Sequence, residues 1–260
     1  MVGVRRWSIP LVRRPVTIAL LAAFVFATYV AFQQLRERSA SHTCAHNLRS
    51  LGFALANYES TYKCYPYPKI NEVSWRMNIM PFVMSSPLHV EYKYDEPWNS
   101  PANLELHKRP LKTRDGDTFV FGVPDDFHCH HSSGIATDAS FLLFVGSNAF
   151  GNPIGQRRIG ELTDGTENTI VAGESISMRI HWLEPKDMDV SKMSFRINDP
   201  NAMSISSRHA NGPAVLFADC SVYRISPLTP EDYVRALITI NGGESVTRQS
   251  LVDAGFLLPP

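Results

Sequence analysis

The sequence predicts an α+β protein: one long N-terminal helix, made of a membrane span and an amphipathic stem, followed by a head of mostly antiparallel strands. Three observations predict it. An uncharged apolar run from Pro15 to Phe32 lies between arginine clusters. Apolar residues then recur at helical spacing as far as Tyr62. Beyond Pro66 the apolar stretches are short and separated by turn residues. The 260 residues carry 25 basic and 25 acidic side chains. Their balance gives no electrostatic ground for a nucleic-acid partner.

The run from Pro15 to Phe32 is roughly 27 Å long as a helix, close to the ~30 Å of a bilayer's hydrocarbon core. Arg5, Arg6, Arg13 and Arg14 precede it, and the first acidic residue is Glu37. Basic residues stay on the cytoplasmic side. Residues 1–14 are therefore expected inside, 15–33 across the inner (cytoplasmic) membrane, 34–65 as the stem, and 66–260 as a head in the periplasm or outside the cell. A cleaved signal peptide is the alternative, with Val25 and Ala27 as small residues near a cleavage point. Either reading exports the head into a compartment that permits disulfides.

In the stem, Cys44, Leu48, Leu51, Leu55, Tyr58 and Tyr62 fall on one helical face. This stripe is expected to pack on the head's own sheet, with Gly52 marking a close approach. Pro66 and Pro68 stop the helix. Ser74–Val83 is a short apolar element anchored by Trp75. Glu96–Leu106 is turn chemistry with a short helix after it. Strands are expected at Phe119–Val123, Ser140–Val145, Thr169–Gly173 and Met178–Trp182. A hairpin pairs Ala214–Ala218 with Val222–Ile225 through a turn at Asp219–Ser221. A helix follows, with Thr229 as N-cap and Pro230 at its first position, and Gly242–Gly243 end it.

Several pieces together resemble the domain of unknown function 1559 family, pseudopilin-like proteins marked by an H-x9-D-G motif. They are Cys44, Asn47-Leu48, Leu51-Gly52, Ala54-Leu55, Tyr58 and Pro66, then Ser74-Trp75-Arg76, and Glu96-Pro97-Trp98-Asn99-Ser100-Pro101. Phe127 and Cys129, Asp164-Gly165-Thr166 with Asn168, then Trp182, Pro185 and Asp187 follow. His209 before Asp219, and Gly242-Gly243-Glu244, complete the series. The resemblance runs over roughly residues 44 to 244. It implies a pilin-like layout, with like subunits or secretion-system proteins of the type II kind as partners and the bilayer held through residues 15–33. It also implies a Cys44–Cys129 bond, since both fall on family cysteine positions. Cys64 and Cys220 fall elsewhere and are paired here as an extra bond. The sequence departs from the family in three places. Gly3 is followed by Val4-Arg5-Arg6 rather than a prepilin cleavage motif, Cys220 stands where the family has glycine, and His130-His131 replace Pro-Ser. The first departure favours a permanent anchor over a processed filament subunit.

No catalytic residue and no cofactor is expected. His128, Cys129, His130 and His131 have metal-ligand chemistry, but neighbours in an extended chain point to opposite faces, so they are weak candidates. His209 and Asp219 form a catalytic pair by residue type. No nucleophile motif accompanies them, and a structural hydrogen bond across a turn is the preferred role. Asp164, Gly165, Thr166 and Asn168 read as a turn rather than a calcium loop. Trp75, Trp98 and Trp182 read as anchors rather than a carbohydrate platform. The expected protein is a non-enzymatic, anchored structural component. Its alternatives are an anchored receptor binding a ligand or polymer through Glu96–Pro101 and Thr163–Asn168, and a metal hydrolase using His128–His131.

Overall fold

The computed structural model describes residues 13–70, 72–83, 88–112, 118–120, 122–129 and 137–260. Helix α1 runs over Arg13–Tyr62. The chain divides between Ala40 and Ser41 into two compact units.

In the first unit the helix is apolar and bare. Ile18, Leu21, Phe24, Phe26, Phe32 and Leu35 are each more than half exposed. The helix is long and apolar enough to cross a membrane, and none of its apolar window is buried. Leaving large apolar side chains in water forfeits about 1.5–3 kcal/mol each, so this surface needs a non-aqueous cover.

In the second unit the same helix turns amphipathic. Cys44, Leu48, Leu51, Leu55 and Tyr58 are at most 8% exposed, as the spacing predicts. Tyr62 departs from the stripe at 57% exposure. It lies at the last turn, its ring tilted against Tyr58 and edge-on to Phe82. Lys63 ends the helix in the left-handed region, its N–H donating to the Glu59 carbonyl. Pro66 and Pro68 lie past that stop and prevent the helix from resuming. At Gly52 an added Cβ would stand 2.9 Å from Leu216 Cδ1 and 3.3 Å from Cys220 Cα. Glycine thus lets the stem lie close against β8 and its turn, where a larger residue would push Leu216 aside.

The stem packs on a six-stranded sheet. Its strands are β5 (Phe141–Val145), β6 (Ile170–Glu174), β7 (Met188–Asp189), β8 (Ala214–Phe217), β9 (Val222–Ile225) and β10 (Leu257–Leu258). The order is β10-β9-β8-β6-β5-β7. All neighbours are antiparallel except β5 and β7, which are parallel, so the sheet is mixed. Two short ribbons precede it, β1 (Lys69–Ile70) with β2 (Val73–Ser74) and β3 (Pro110–Lys112) with β4 (Thr118–Val120). Short helices α2 (Trp75–Ile79) and α3 (Pro101–Leu104) are each capped by the preceding serine. Helices α4 (Glu231–Ile238) and α5 (Arg248–Asp253) close the chain before β10.

The structure corrects two expected elements, the second at both of its ends. Met178–Trp182 forms no strand beyond a single bridge between Asp138 and His181, because Ile180 and Trp182 are buried from irregular backbone. Helix α4 starts one residue late: the Thr229 hydroxyl donates to the Ser226 carbonyl, and Pro230 occupies the cap. The helix ends at Ile238 rather than at the glycine pair, because the Gly242 and Gly243 amides are taken up elsewhere.

Candidate functional site

Most of the site residues expected from the sequence fall in two places in the second unit, one buried between stem and sheet and one at the β8–β9 turn.

The buried place lies between the stem and the sheet. Cys44, on the stem, is bonded to Cys129, which follows a 3-10 turn at Asp125–Phe127. His209 Nε2 stands 3.3 Å from Cys129 Sγ and 3.8 Å from Glu174 Oε1. Glu174 ends strand β6, and its Oε2 accepts from Arg224 Nη1 at 3.1 Å and from the Ala214 amide at 3.1 Å. Arg224, on β9, also donates from Nη2 to the Ser41 carbonyl of the stem at 2.6 Å. The side chains of Glu174, His209 and Arg224 have no solvent exposure. A buried ion pair needs hydrogen-bond partners for its other polar atoms, and here the Ser41 and Gly212 carbonyls and the Ala214 amide are among them. The His209 amide donates to Ser207 Oγ, and its carbonyl accepts from Gly212. At Gly212 φ is +88° and an added Cβ would fall 2.1 Å from the Ile225 carbonyl, so glycine is required to fold this loop onto β9.

Asp219 is not there. It sits in the β8–β9 turn, where its carboxylate accepts from the Ser221 amide and hydroxyl and pairs with Arg248. Burial pushes its carboxyl up, but those bonds outweigh burial and hold it below the ordinary carboxylate range. The expected His209–Asp219 bond across a turn is therefore corrected: strand β8 separates the two residues. Arg248 also lies over the Phe217 and Tyr223 rings, and its amide donates to Asn168 Oδ1. Asn168 Nδ2 donates to the Asp164 carbonyl. The Asp164 carboxylate accepts from the amides of Gly242 and Gly243 at 2.7 and 2.9 Å. Gly165, at φ +94°, turns the chain here, and the Thr166 carbonyl accepts from the Asp219 amide. Asp164, Gly165, Thr166, Asn168 and Asp219 thus form one clasp that holds the last segment of the chain to the sheet.

The second expected disulfide is also corrected. Cys64 and Cys220 are both free. Cys64 Sγ turns back to the Tyr62 carbonyl at 3.4 Å. Cys220 occupies a left-handed position in the hairpin turn, and burial and then Asp219 raise its thiol above the ordinary range.

Of the histidine cluster, His128 is buried, with Nδ1 2.8 Å from the Asp138 carbonyl. His130 and His131 lie outside the described residues. Trp98 is half-buried against His181, which burial and the nearby His107 push down to about 4. Asn99 is exposed. The turn around them is held by Asn103, whose side chain bonds Lys93 and Pro97. Trp75 and Trp182 are fully buried.

A second buried ion pair joins Arg76 and Asp187, to which the sequence assigned no role. Arg76 donates to Asp187 Oδ1 at 2.8 Å, Trp75 Nε1 to Oδ2 at 2.8 Å, and the Leu143 amide to Oδ1 at 3.0 Å. Sequence reasoning also missed Glu174, Arg224 and Arg248. The available signal was a charge closing or interrupting an otherwise apolar strand, Ile170–Glu174 and Val222–Ile225.

Comparison with curated proteins and with solved structures gives no match. A family model does match, over residues 33–196, which take in the stem, the disulfide, the Arg76–Asp187 pair and Glu174. The chain belongs to the family described as Protein of unknown function (DUF1559).

Proposed function

We propose that this chain is a membrane-anchored, pseudopilin-like structural protein without catalytic activity. It stands in the cytoplasmic membrane, N-terminus inside and head exported, as part of an envelope secretion or assembly apparatus of the type II secretion kind. One observation carries the reading: helix α1 is apolar and bare in the first unit and becomes the core-lining stem of the second. Such a helix suits a subunit that is held in a bilayer and presents a folded head.

The non-enzymatic part is supported by the fate of the polar residues. A catalytic group must touch its substrate, whereas His209 and Glu174 lie without solvent exposure between stem and sheet. Asp164 and Asn168 are spent on backbone amides of the C-terminal segment, which also weakens the receptor alternative at Thr163–Asn168.

The test is intact mass and fractionation of the protein from its native membrane. Full-length mass in a carbonate-resistant membrane fraction supports the anchor. A soluble product cut near Ala27 overturns it and makes the run a signal peptide. Loss of a short leader, with a methyl on the new N-terminus, replaces the anchor with a processed filament subunit. Protease protection of the N-terminal arginines checks orientation, and crosslinking in the membrane separates secretion-system partners from a soluble polymer.

A further inference from the structure

We propose that the buried cluster of Cys44, Cys129 and His209 is a redox-gated zinc site: once the disulfide is reduced, the two cysteine sulfurs and His209 Nε2 hold one Zn²⁺ ion. The inference is independent of the anchoring role.

The donor set and its spacing carry it. Cys44 Sγ, Cys129 Sγ and His209 Nε2 lie within 4.8 Å of one another, and Cys129 Sγ is 3.3 Å from Nε2. Zinc binds thiolate at about 2.3 Å and imidazole at about 2.0–2.1 Å in a tetrahedron, so its sulfur and nitrogen ligands stand roughly 3.5 Å apart. The imidazole is already at that distance from one sulfur. In the oxidised chain the sulfurs are bonded to each other and cannot ligate. Reduction changes this in a balanced way. A dithiol supplies two electrons and two protons, leaves as its own disulfide, and yields two thiols. The sulfurs, no longer bonded, part to van der Waals distance, which is about the separation that zinc imposes. Zn²⁺ then displaces both thiol protons to solvent.

Charge favours the ion in this place. Two thiolates buried without a counter-charge are costly, and Zn²⁺ neutralises both. Glu174 Oε1 lies 3.8 Å from Nε2 as a neighbouring anion, while Arg224 holds Oε2 and balances that carboxylate. The ligands come from the stem, the loop before β5 and the loop before β8. The ion therefore ties together parts that the disulfide ties only in two places.

The experiment uses the full chain in detergent, with and without reduction by a water-soluble phosphine. Each sample is loaded with Zn²⁺, desalted, and assayed for zinc per chain and for circular dichroism. One zinc per reduced, folded chain and none per oxidised chain is the expected result. His209→Gln weakens binding about tenfold or more, since even outer-shell partners are worth 10–100-fold. Cys44→Ser/Cys129→Ser takes up none, and Cys64→Ser/Cys220→Ser leaves uptake unchanged. No zinc in the reduced chain overturns the proposal. So does equal zinc in the oxidised chain, which places the ion on surface histidines such as His42 and His46, and so does unchanged affinity in His209→Gln. Loss of the native dichroism in the zinc-loaded reduced chain also overturns it, because the ion is then held by unfolded thiols.

Discussion

Single residues decide how closely this fold's parts meet. Cys220 takes a φ of +66° in the β8–β9 turn, a region where a side chain costs about 1–2 kcal/mol. A glycine at this position would adopt the same conformation without that cost. Cys220→Gly is expected to stabilise the head by about 1 kcal/mol in urea denaturation; a loss of stability would show that the thiol's packing beside Gly52 outweighs the backbone term. Asp187 gives a pH signature. Burial pushes its carboxyl up to about 6, against the pull of Arg76 and the donors Leu143 and Trp75. Between about pH 4 and 6 the folded chain thus holds a proton that the unfolded chain has lost. Through this group stability is highest below pH 4 and is lost as pH rises through 6. The stability gap between wild type and Asp187→Asn is expected to shrink as pH rises across that window, by at most about 1.4 kcal/mol per pH unit, and to be flat above it. A gap that widens with pH would mean that the Arg76 pair holds the carboxyl ionised throughout.

At the scale of elements, the C-terminal segment is held by side-chain clasps more than by apolar area. Helix α5 buries only Leu251 fully, and Asp164 fixes the preceding glycine pair through two charge-assisted bonds. Asp164→Ala is expected to cost about 1–2 kcal/mol and to raise amide exchange at Gly242 and Gly243 at least about tenfold while β6 and β8 stay protected. Equal loosening of β6 would make the clasp part of global unfolding. The same comparison shows what the sequence could say. The stem face was legible because Cys44 to Tyr58 repeat at the helical period over four turns, and strands β5, β6, β8 and β9 because they are apolar runs closed by turn residues. Helix α5 and strand β10 were not, since six and two residues carry too little periodicity. The His209–Asp219 spacing misled: a four-residue strand fits between them and carries them to opposite ends. Glu174 was hidden because a charge at a strand's end reads as the start of a loop, and Arg224 because only the sheet order brings β6, β8 and β9 together.

For the whole molecule, the two units assign different work to one helix. Among the described residues every buried core side chain lies at or after Cys44, and the second unit is Ser41–Pro260. Deleting residues 1–40 therefore keeps all of these core side chains and the Ser41 carbonyl that Arg224 holds. It does remove the bare apolar helix and leave a frayed helix end, where the first four N–H groups lack partners. The shortened chain is expected to stay in solution without detergent, to form the Cys44–Cys129 bond, and to unfold within about 1–2 kcal/mol of the full chain, the size of a lost helix cap. The full chain should need detergent or lipid. A shortened chain that aggregates or fails to form the bond would mean that the apolar helix serves the fold itself, and the anchoring role would lose its physical basis. A full chain that stays monomeric in plain buffer would remove it as directly, because side chains such as Phe24 and Phe26 would then have found a cover other than a bilayer.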